Sequence, residues 1–402
     1  MQSRFEFIAM MAMLFATVAF SIDSMLPALP EIGQELSPDA PNRAQLILSA
    51  FVMGLGVGTF IVGPISDAIG RKPMILFGAG LYIVGALLAS MAQTLELMLL
   101  ARGLQGLGAA GPRVVGMAVT RDLYSGRQMA QISSFVMFIF VLFPAVAPLL
   151  GSGIIELGGW RAIFLSFILF SIIGTVWMQL RLSETLPKAA RSPFRPAPLA
   201  VAAREVFAHP SVRITIVVLT LCFAMFFAML SSVQQIYDIT FARADSFPYW
   251  FFAISLVASG ASIVNAKLVV RLGMRFLVTV ILGVQVVVAG AVVVLSHAGL
   301  SNEALFVVFL VWQAVMFFQM GLTMGNLNAM GMEPLGHIAG MAASIIGGIS
   351  TVAAMLLAAP IGLAFDGTIV PLSTGILILS VLAMGLMLWL RRVEARLEAT
   401  AY

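Results

Sequence analysis

Apolar runs of bilayer length, each closed by charges, glycine or proline, follow one another along almost the whole 402-residue chain. About 20 apolar residues cross the hydrocarbon core as a helix, and only helices or closed barrels satisfy their own backbone in lipid. The runs fall at roughly 5–28, 45–66, 74–92, 96–119, 130–153 and 161–181, and again at 213–238, 247–270, 275–296, 303–327, 338–362 and 369–390. They predict an all-α polytopic membrane protein of twelve transmembrane helices in two six-helix pseudo-symmetric bundles, 1–181 and 213–402, joined by a linker at 182–212. The linker region is basic and broken by proline, with Lys188, Arg191, Arg195, Arg204 and Arg213 set among Pro187, Pro193, Pro196, Pro198 and Pro210.

Composition narrows the class. With 61% hydrophobic and 10% charged residues and a mean hydropathy of +1.05, the chain is no soluble globule, in which about a quarter of residues are charged. The net charge of +4 is spread between apolar runs rather than gathered into a patch, which argues against nucleic acid. The first run is too long for a signal-peptide core and reads as a membrane helix. One cysteine, Cys222, excludes an intrachain disulfide and a multi-cysteine metal site. His209, His297 and His337 have no ligand spacing, so neither metal nor cofactor is expected. No clustered nucleophile and base points to an enzyme.

Lys and Arg set the expected orientation. With a cytoplasmic N-terminus, the inner side receives Arg71, Lys72, Arg121, the linker cluster, Lys267, Arg271, Arg275, Arg391 and Arg392, and the outer side only Arg43, Arg161 and Arg243. Both termini are then cytoplasmic. The densest inner loop, G-P-I-S-D-A-I-G-R-K-P from Gly63 to Pro73, joins two apolar runs as a tight hairpin in which Gly70 allows the turn and Arg71 and Lys72 hold the inner side. The spacing G-x-x-x-x-G-K-[ST] of a phosphate-binding loop is missing there, which argues against ATP-driven transport. N-A-K-L-V-V-R-L-G-M-R, 265–275, is a degenerate echo: setting Gly273 on Gly70 places Arg275 on Lys72 and Val270 on Asp67, as expected of an internal duplication.

These residues resemble the major facilitator superfamily over almost the whole chain. Gly63 to Lys72 is similar to its signature between helices 2 and 3, R-G-L-Q-G-L-G-A-A (102–110) to that of helix 4, and G-W-R-A-I-F (159–164) to that opening helix 6. D-S-M-L-P-A-L-P (23–30), R-D-L-Y (121–124), S-F-V-M (134–137), A-P-L-L-G (147–151), S-E-T-L-P (183–187) and A-G-M-A-A-S (339–344) are similar to the bicyclomycin- and chloramphenicol-resistance branch of drug:proton antiporters. The resemblance implies two bundles rocking around a midplane cavity, with proton entry driving export of small molecules. It also implies a gate around Gly63, Asp67, Gly70, Arg71 and Lys72 with Arg121 and Asp122, and a role in alternating access for Gly151. For Asp67 the alternative is a plain helix cap.

Within the runs, Asp23 is the acid set furthest into apolar sequence, and a lone carboxylate there is expensive unless paired or protonated. Arg102 lies at comparable depth on helix 4, so a pair that loosens on protonation is one reading and a static pair fixing helix packing the other. Arg113 follows eleven residues later, about three turns along the same face. It either lines the cavity, which suits an anionic or zwitterionic substrate, or snorkels to the inner end beside Asp122. Gln234, Gln235 and Tyr237 on helix 7, and Gln313, Gln319 and Asn326 on helix 10, either contact substrate or bond across helices. Pro144 and Pro148 interrupt the backbone bonds of helix 5 and permit a bend.

The leading expectation is a proton-coupled exporter of small amphipathic drugs in a bacterial inner membrane, acting as a monomer with small-molecule substrate, protons and lipid bilayer as partners. The alternative is a dedicated proton-coupled carrier of an anionic or zwitterionic metabolite, with a membrane enzyme behind both.

Overall fold

The computed structural model describes residues 3–192 and 196–400; Pro193 and Arg195 of the expected linker lie outside the described residues. Every regular element among the described residues is helical, and none is a strand. In order the helices are α1 (Arg4–Asp23), α2 (Leu29–Leu36), α3 (Leu46–Ile69), α4 (Arg71–Ser90), α5 (Leu95–Ala110), α6 (Gly116–Leu123), α7 (Gly126–Arg181), α8 (Pro196–Ala208), α9 (Pro210–Gln235), α10 (Phe247–Leu272), α11 (Met274–Ser296), α12 (Asn302–Met332), α13 (Ala339–Leu363) and α14 (Val370–Thr400).

Nine helical stretches among the described residues are long and apolar enough to cross a bilayer. Two of them, Gln131–Arg181 and Asn302–Leu363, run 51 and 62 residues, more than twice what a single crossing needs. Each is broken: α7 at Gly158–Gly159, where Gly159 takes φ +70°, and the other at the short turn Glu333–Ile338. The run expected at 96–119 is not among the nine. It forms α5, a π-helical turn at Gly111–Val115 and α6, with Arg102 and Arg113 inside it. The first run stops as an α-helix at Asp23 rather than at 28, because Pro27 has no N–H to bond back to residue 23. The linker is more ordered than its prolines suggest. Prolines are tolerated in a first helical turn, and α8 starts at Pro196 and buries Ala202 and Val206.

The chain divides into two compact units, Met1–Pro196 and Ala197–Tyr402. In the first, α5 packs between α3 and α4 at backbone distance. A Cβ on Gly106 would fall on the carbonyl of Phe51 in α3, and one on Gly85 of α4 would lie 2.6 Å from the amide nitrogen of Gln105. α1 lies along α7, where Phe20 meets Phe143, Phe167 and Phe170 with ring centroids 5.9, 5.2 and 5.1 Å away. In the second unit α9 is central and buried along most of its apolar length, whereas α10 is buried along little of it. Large apolar side chains such as Leu100, Leu180 and Val287 are more than 70% exposed. Such surfaces favour association in water and suit contact with lipid.

Gly106→Val is expected to force α5 off α3 and destabilise the protein by ~3 kcal/mol, lowering the thermal unfolding midpoint in detergent by roughly 10 °C. Gly103→Ala, whose added methyl would come no nearer than 3.8 Å to a neighbour, is the matched control and is expected to stay within about 2 °C of the parent.

Candidate functional site

The close packing of α5 carries Arg102 into the first unit, where its side chain is fully buried. One guanidinium nitrogen donates to Gln105 Oε1 at 2.7 Å and another to the carbonyl oxygen of Ser21 at 3.0 Å. The same group lies over the ring of Phe51, 4.3 Å from its centroid, with Phe164 at 5.8 Å. The Ser21 hydroxyl shares a 2.5 Å hydrogen bond with the Tyr82 hydroxyl from α4. Arg102 is thus solvated by a carbonyl, an amide and two aromatic faces.

Asp23 closes α1 two residues beyond Ser21 and is 5% exposed. Arg102 reaches the same helix end, yet among the described residues Asp23 has no ion-pair partner. The direct Asp23–Arg102 pair anticipated from helix depth is therefore not formed here. Arg102 spends its donors on the backbone and Gln105 instead.

Arg113 sits in the π-helical turn beside Pro112, half-buried and without an ion pair among the described residues. A π turn adds a residue to the α-helical register. The eleven-residue spacing consequently no longer fixes Arg113 to the face of Arg102. Arg113 is not paired with Asp122, which belongs to the hairpin described next.

At the hairpin, Arg71 bridges two acids: it meets Asp67 at 2.5 Å and Asp122 at 3.1 Å, and it donates to the Ser66 hydroxyl at 2.6 Å. Of Arg121 and Asp122, both expected at the gate, the end of α6 brings Asp122 to this cluster, while Arg121 makes no ion pair among the described residues. Glu184 completes it. Its two carboxylate oxygens accept from the backbone N–H groups of Arg71 and Lys72 at 3.0 and 3.2 Å, capping α4 where Gly70 has no side chain to do so. In return Lys72 Nζ donates to the carbonyls of Gln179 and Leu182 at 2.8 Å each, at the C-terminal end of α7. An acid at one helix start and a cation at another helix end both follow the helix dipoles. Gly70 has φ +110°, and a Cβ there would lie 2.6 Å from Glu184 Oε2. Gly63 lies within α3, one residue before the in-helix Pro64.

In the second unit Tyr237 donates to Gln313 Oε1 at 3.0 Å, joining α12 to the π-helical turn Ile236–Thr240 that follows α9. Asn326 donates to Asn265 Oδ1 of α10 at 2.7 Å and to its own helix at Leu322, so it bonds across helices. Gln319 is fully buried with neither amide atom bonded, and Gln313 Nε2 and Gln234 Oε1 are likewise unmet. Gln235 is buried close by in sequence. In α7 the backbone stays helical through Pro144 and Pro148, and the break falls at Gly158–Gly159 instead. Gly151 packs directly on the Ser24 carbonyl beside Asp23, where any Cβ would collide.

Sequence reading passed over Ser21, Tyr82, Gln105 and Glu184 as functional candidates. Gln105 and Glu184 stand inside the quoted motifs R-G-L-Q-G and S-E-T-L-P, which was the available signal. Ser21 and Tyr82 carried none, since 61 residues separate them.

A family model described as the Major Facilitator Superfamily matches residues 9–359. The bicyclomycin resistance protein homolog of Haemophilus influenzae is 30% identical over 291 residues, 71% of each chain. The MFS-type transporter YdgK of Bacillus subtilis is 35% identical over 186 residues, and that match spans 46% of either chain, about half the relative's length. Among solved structures, that of a D-xylose-proton symporter superposes with a TM-score of 0.76 at 13% identity, covering 95% of this chain and 97% of that one, a likeness of fold. A family match over most of the length, the all-helical units and the capped hairpin at Gly70 agree, and this chain belongs to the major facilitator superfamily.

Proposed function

We propose that the protein is a proton-coupled exporter of small amphipathic compounds, crossing the bacterial inner membrane twelve times with both termini in the cytoplasm. The observation that carries the reading is the buried Arg102, held by the Ser21 carbonyl and Gln105 two residues short of an unpaired Asp23. A buried acid and a buried guanidinium at one helix end form a two-state element. With Asp23 protonated, Arg102 rests on Ser21 and Gln105. With Asp23 charged, the carboxylate draws the guanidinium toward it and shifts α1 against α5. Proton binding thereby favours one packing over the other, which is all that coupling requires. The family relation and the bicyclomycin-resistance relative support drug export as the direction of transport.

In this reading the Arg71 cluster is the inner gate. Asp67, Arg71, Asp122 and Glu184 tie together the ends of α3, α4 and α6 and the segment after α7, and their ion pairs must break and reform in each cycle. The unmet amides of Gln234, Gln313 and Gln319 supply neutral hydrogen-bonding partners for substrate, while Pro144, Pro148 and Gly151 let α7 flex against the end of α1.

One observation favours a second reading. Arg113 is a half-buried cation with no acidic partner among the described residues, and a fixed unpaired charge of this kind suits an anionic or zwitterionic metabolite.

Asp23→Asn keeps the neutral shape and is expected to abolish pH-driven transport in liposomes while the protein stays monodisperse and still exchanges substrate across the bilayer without a pH gradient. Normal pH-driven transport in that variant would overturn the coupling role. Glu184→Ala is expected to slow transport several-fold at unchanged substrate affinity, since it uncaps the gate and touches no substrate. Arg113→Ala is expected to weaken transport of anionic compounds by roughly tenfold, as the loss of one charge-assisted contact does, and to spare cationic ones. Equal losses for both would remove the second reading.

A further inference from the structure

The second unit holds a cavity of about 860 Å³ whose lining includes none of the residues assigned above to coupling, gate or substrate, a volume within the range of small-molecule sites. It is lined at the start of α9 by Ser211 and Thr215, at the α10–α11 turn by Leu272 to Phe276 with Thr279, at the end of α12 by Met330 and in the turn after it by Glu333, and on α14 by Met387, Leu388 and Arg391. Two guanidinium groups, Arg275 and Arg391, thus face one carboxylate, Glu333. Arg391 is exposed and makes no ion pair among the described residues.

Both threonine hydroxyls in the wall are already committed as donors. Thr215 donates to the Ser211 carbonyl at 2.9 Å and Thr279 to the Arg275 carbonyl at 2.8 Å, which leaves their lone pairs to accept. The cavity therefore offers cationic donors for an anion and neutral or acidic acceptors for a group that brings its own hydroxyls. Beside the arginines the wall turns apolar. Leu272, Phe276 and Leu388 are 46%, 53% and 46% exposed, a surface that a freely soluble phosphate has no use for and an acyl chain covers. The start of α11 adds its first-turn N–H groups, which have no side-chain cap at Gly273.

We propose that this cavity is a lipid site: it binds the phosphodiester of an anionic phospholipid with a hydroxylated headgroup, of the phosphatidylglycerol type, through Arg275 and Arg391, with the headgroup hydroxyls donating to Glu333 and the two threonines and the acyl chains along Leu272, Phe276 and Leu388. Basic pockets between membrane helices are suited to such headgroups. The site rests on the chain's membrane nature and not on the coupling mechanism proposed above.

The test is native mass spectrometry of the full-length protein in detergent, titrated separately with phosphatidylglycerol, phosphatidylcholine and water-soluble glycerol 3-phosphate. The wild type is expected to hold phosphatidylglycerol and to show at least about tenfold weaker adducts with the other two. Arg391→Gln and Arg275→Gln are expected to weaken phosphatidylglycerol binding by about tenfold or more, in line with loss of a charge-assisted contact. Arg391→Lys is expected to fall between, because it keeps the charge without the fork. Arg392→Gln, the same charge change one residue outside the cavity lining, is expected to bind as the parent does. Arg391 is on the surface, so its variant remains decisive if Arg275→Gln fails to fold. Equal binding of phosphatidylcholine, equal binding of glycerol 3-phosphate, or equal affinity in the Arg391 and Arg392 variants would each overturn the proposal, and none of these outcomes bears on Asp23.

Discussion

Backbone-to-backbone contact of α5 with α3 and α4 is the constraint on which the first unit depends. Lipid is as apolar as leucine, so helices gain little by hiding apolar side chains from it and associate instead through close packing of small residues. Gly106 against Phe51, and Gly85 against Gln105, bring the helices near enough for main-chain atoms to touch. That same proximity delivers Arg102 to the end of α1. A bulkier residue at either glycine would remove both the packing and the reach of the guanidinium.

What holds Arg102 is unusual for a buried cation. An ion pair is the common way to offset a buried charge, but breaking one leaves an uncompensated charge behind. Here a carbonyl, an amide and two ring faces share the task, and Asp23 is left out. A neutral or weakly polar cradle can release a guanidinium to a competing carboxylate at smaller cost than a formed ion pair can, which is the property a switch between two packings needs. Gly151 against Ser24 sets the end of α1 beside α7, whose break at Gly158–Gly159 lies about two helix turns further on.

The hairpin at Gly70 shows the limits of local reading in a single site. The closeness of Asp67 and Arg71 was legible because only four positions separate them across the turn at Gly70, and Gly70 was legible because only glycine readily takes φ +110° at such a turn. Glu184 was not, although its motif was noted, because the bond it makes spans 113 residues to Arg71. Asp122 was assigned to the neighbourhood, but its choice of Arg71 over Arg113 is a contact between residues 51 apart in sequence, which no periodicity announces.

The sequence by itself determined that the chain is a helical membrane protein, where its apolar runs lie, which glycines and charges form the inner hairpin, and which family it resembles. Each of these follows from interactions local in sequence: the need of every backbone group in lipid for a partner within its own helix, and residue spacing within one turn. Only the tertiary structure decided that Arg102 rests on Ser21 and Gln105 rather than on Asp23, that Glu184 caps α4, that Asn326 bonds to Asn265 while Gln319 stays unmet, and that Arg275 and Arg391 line one cavity. Those outcomes are set by which helix faces meet at distances of about 3 Å, and hydrophobicity, which patterns the sequence, carries no information about partners once lipid and protein interior are equally apolar.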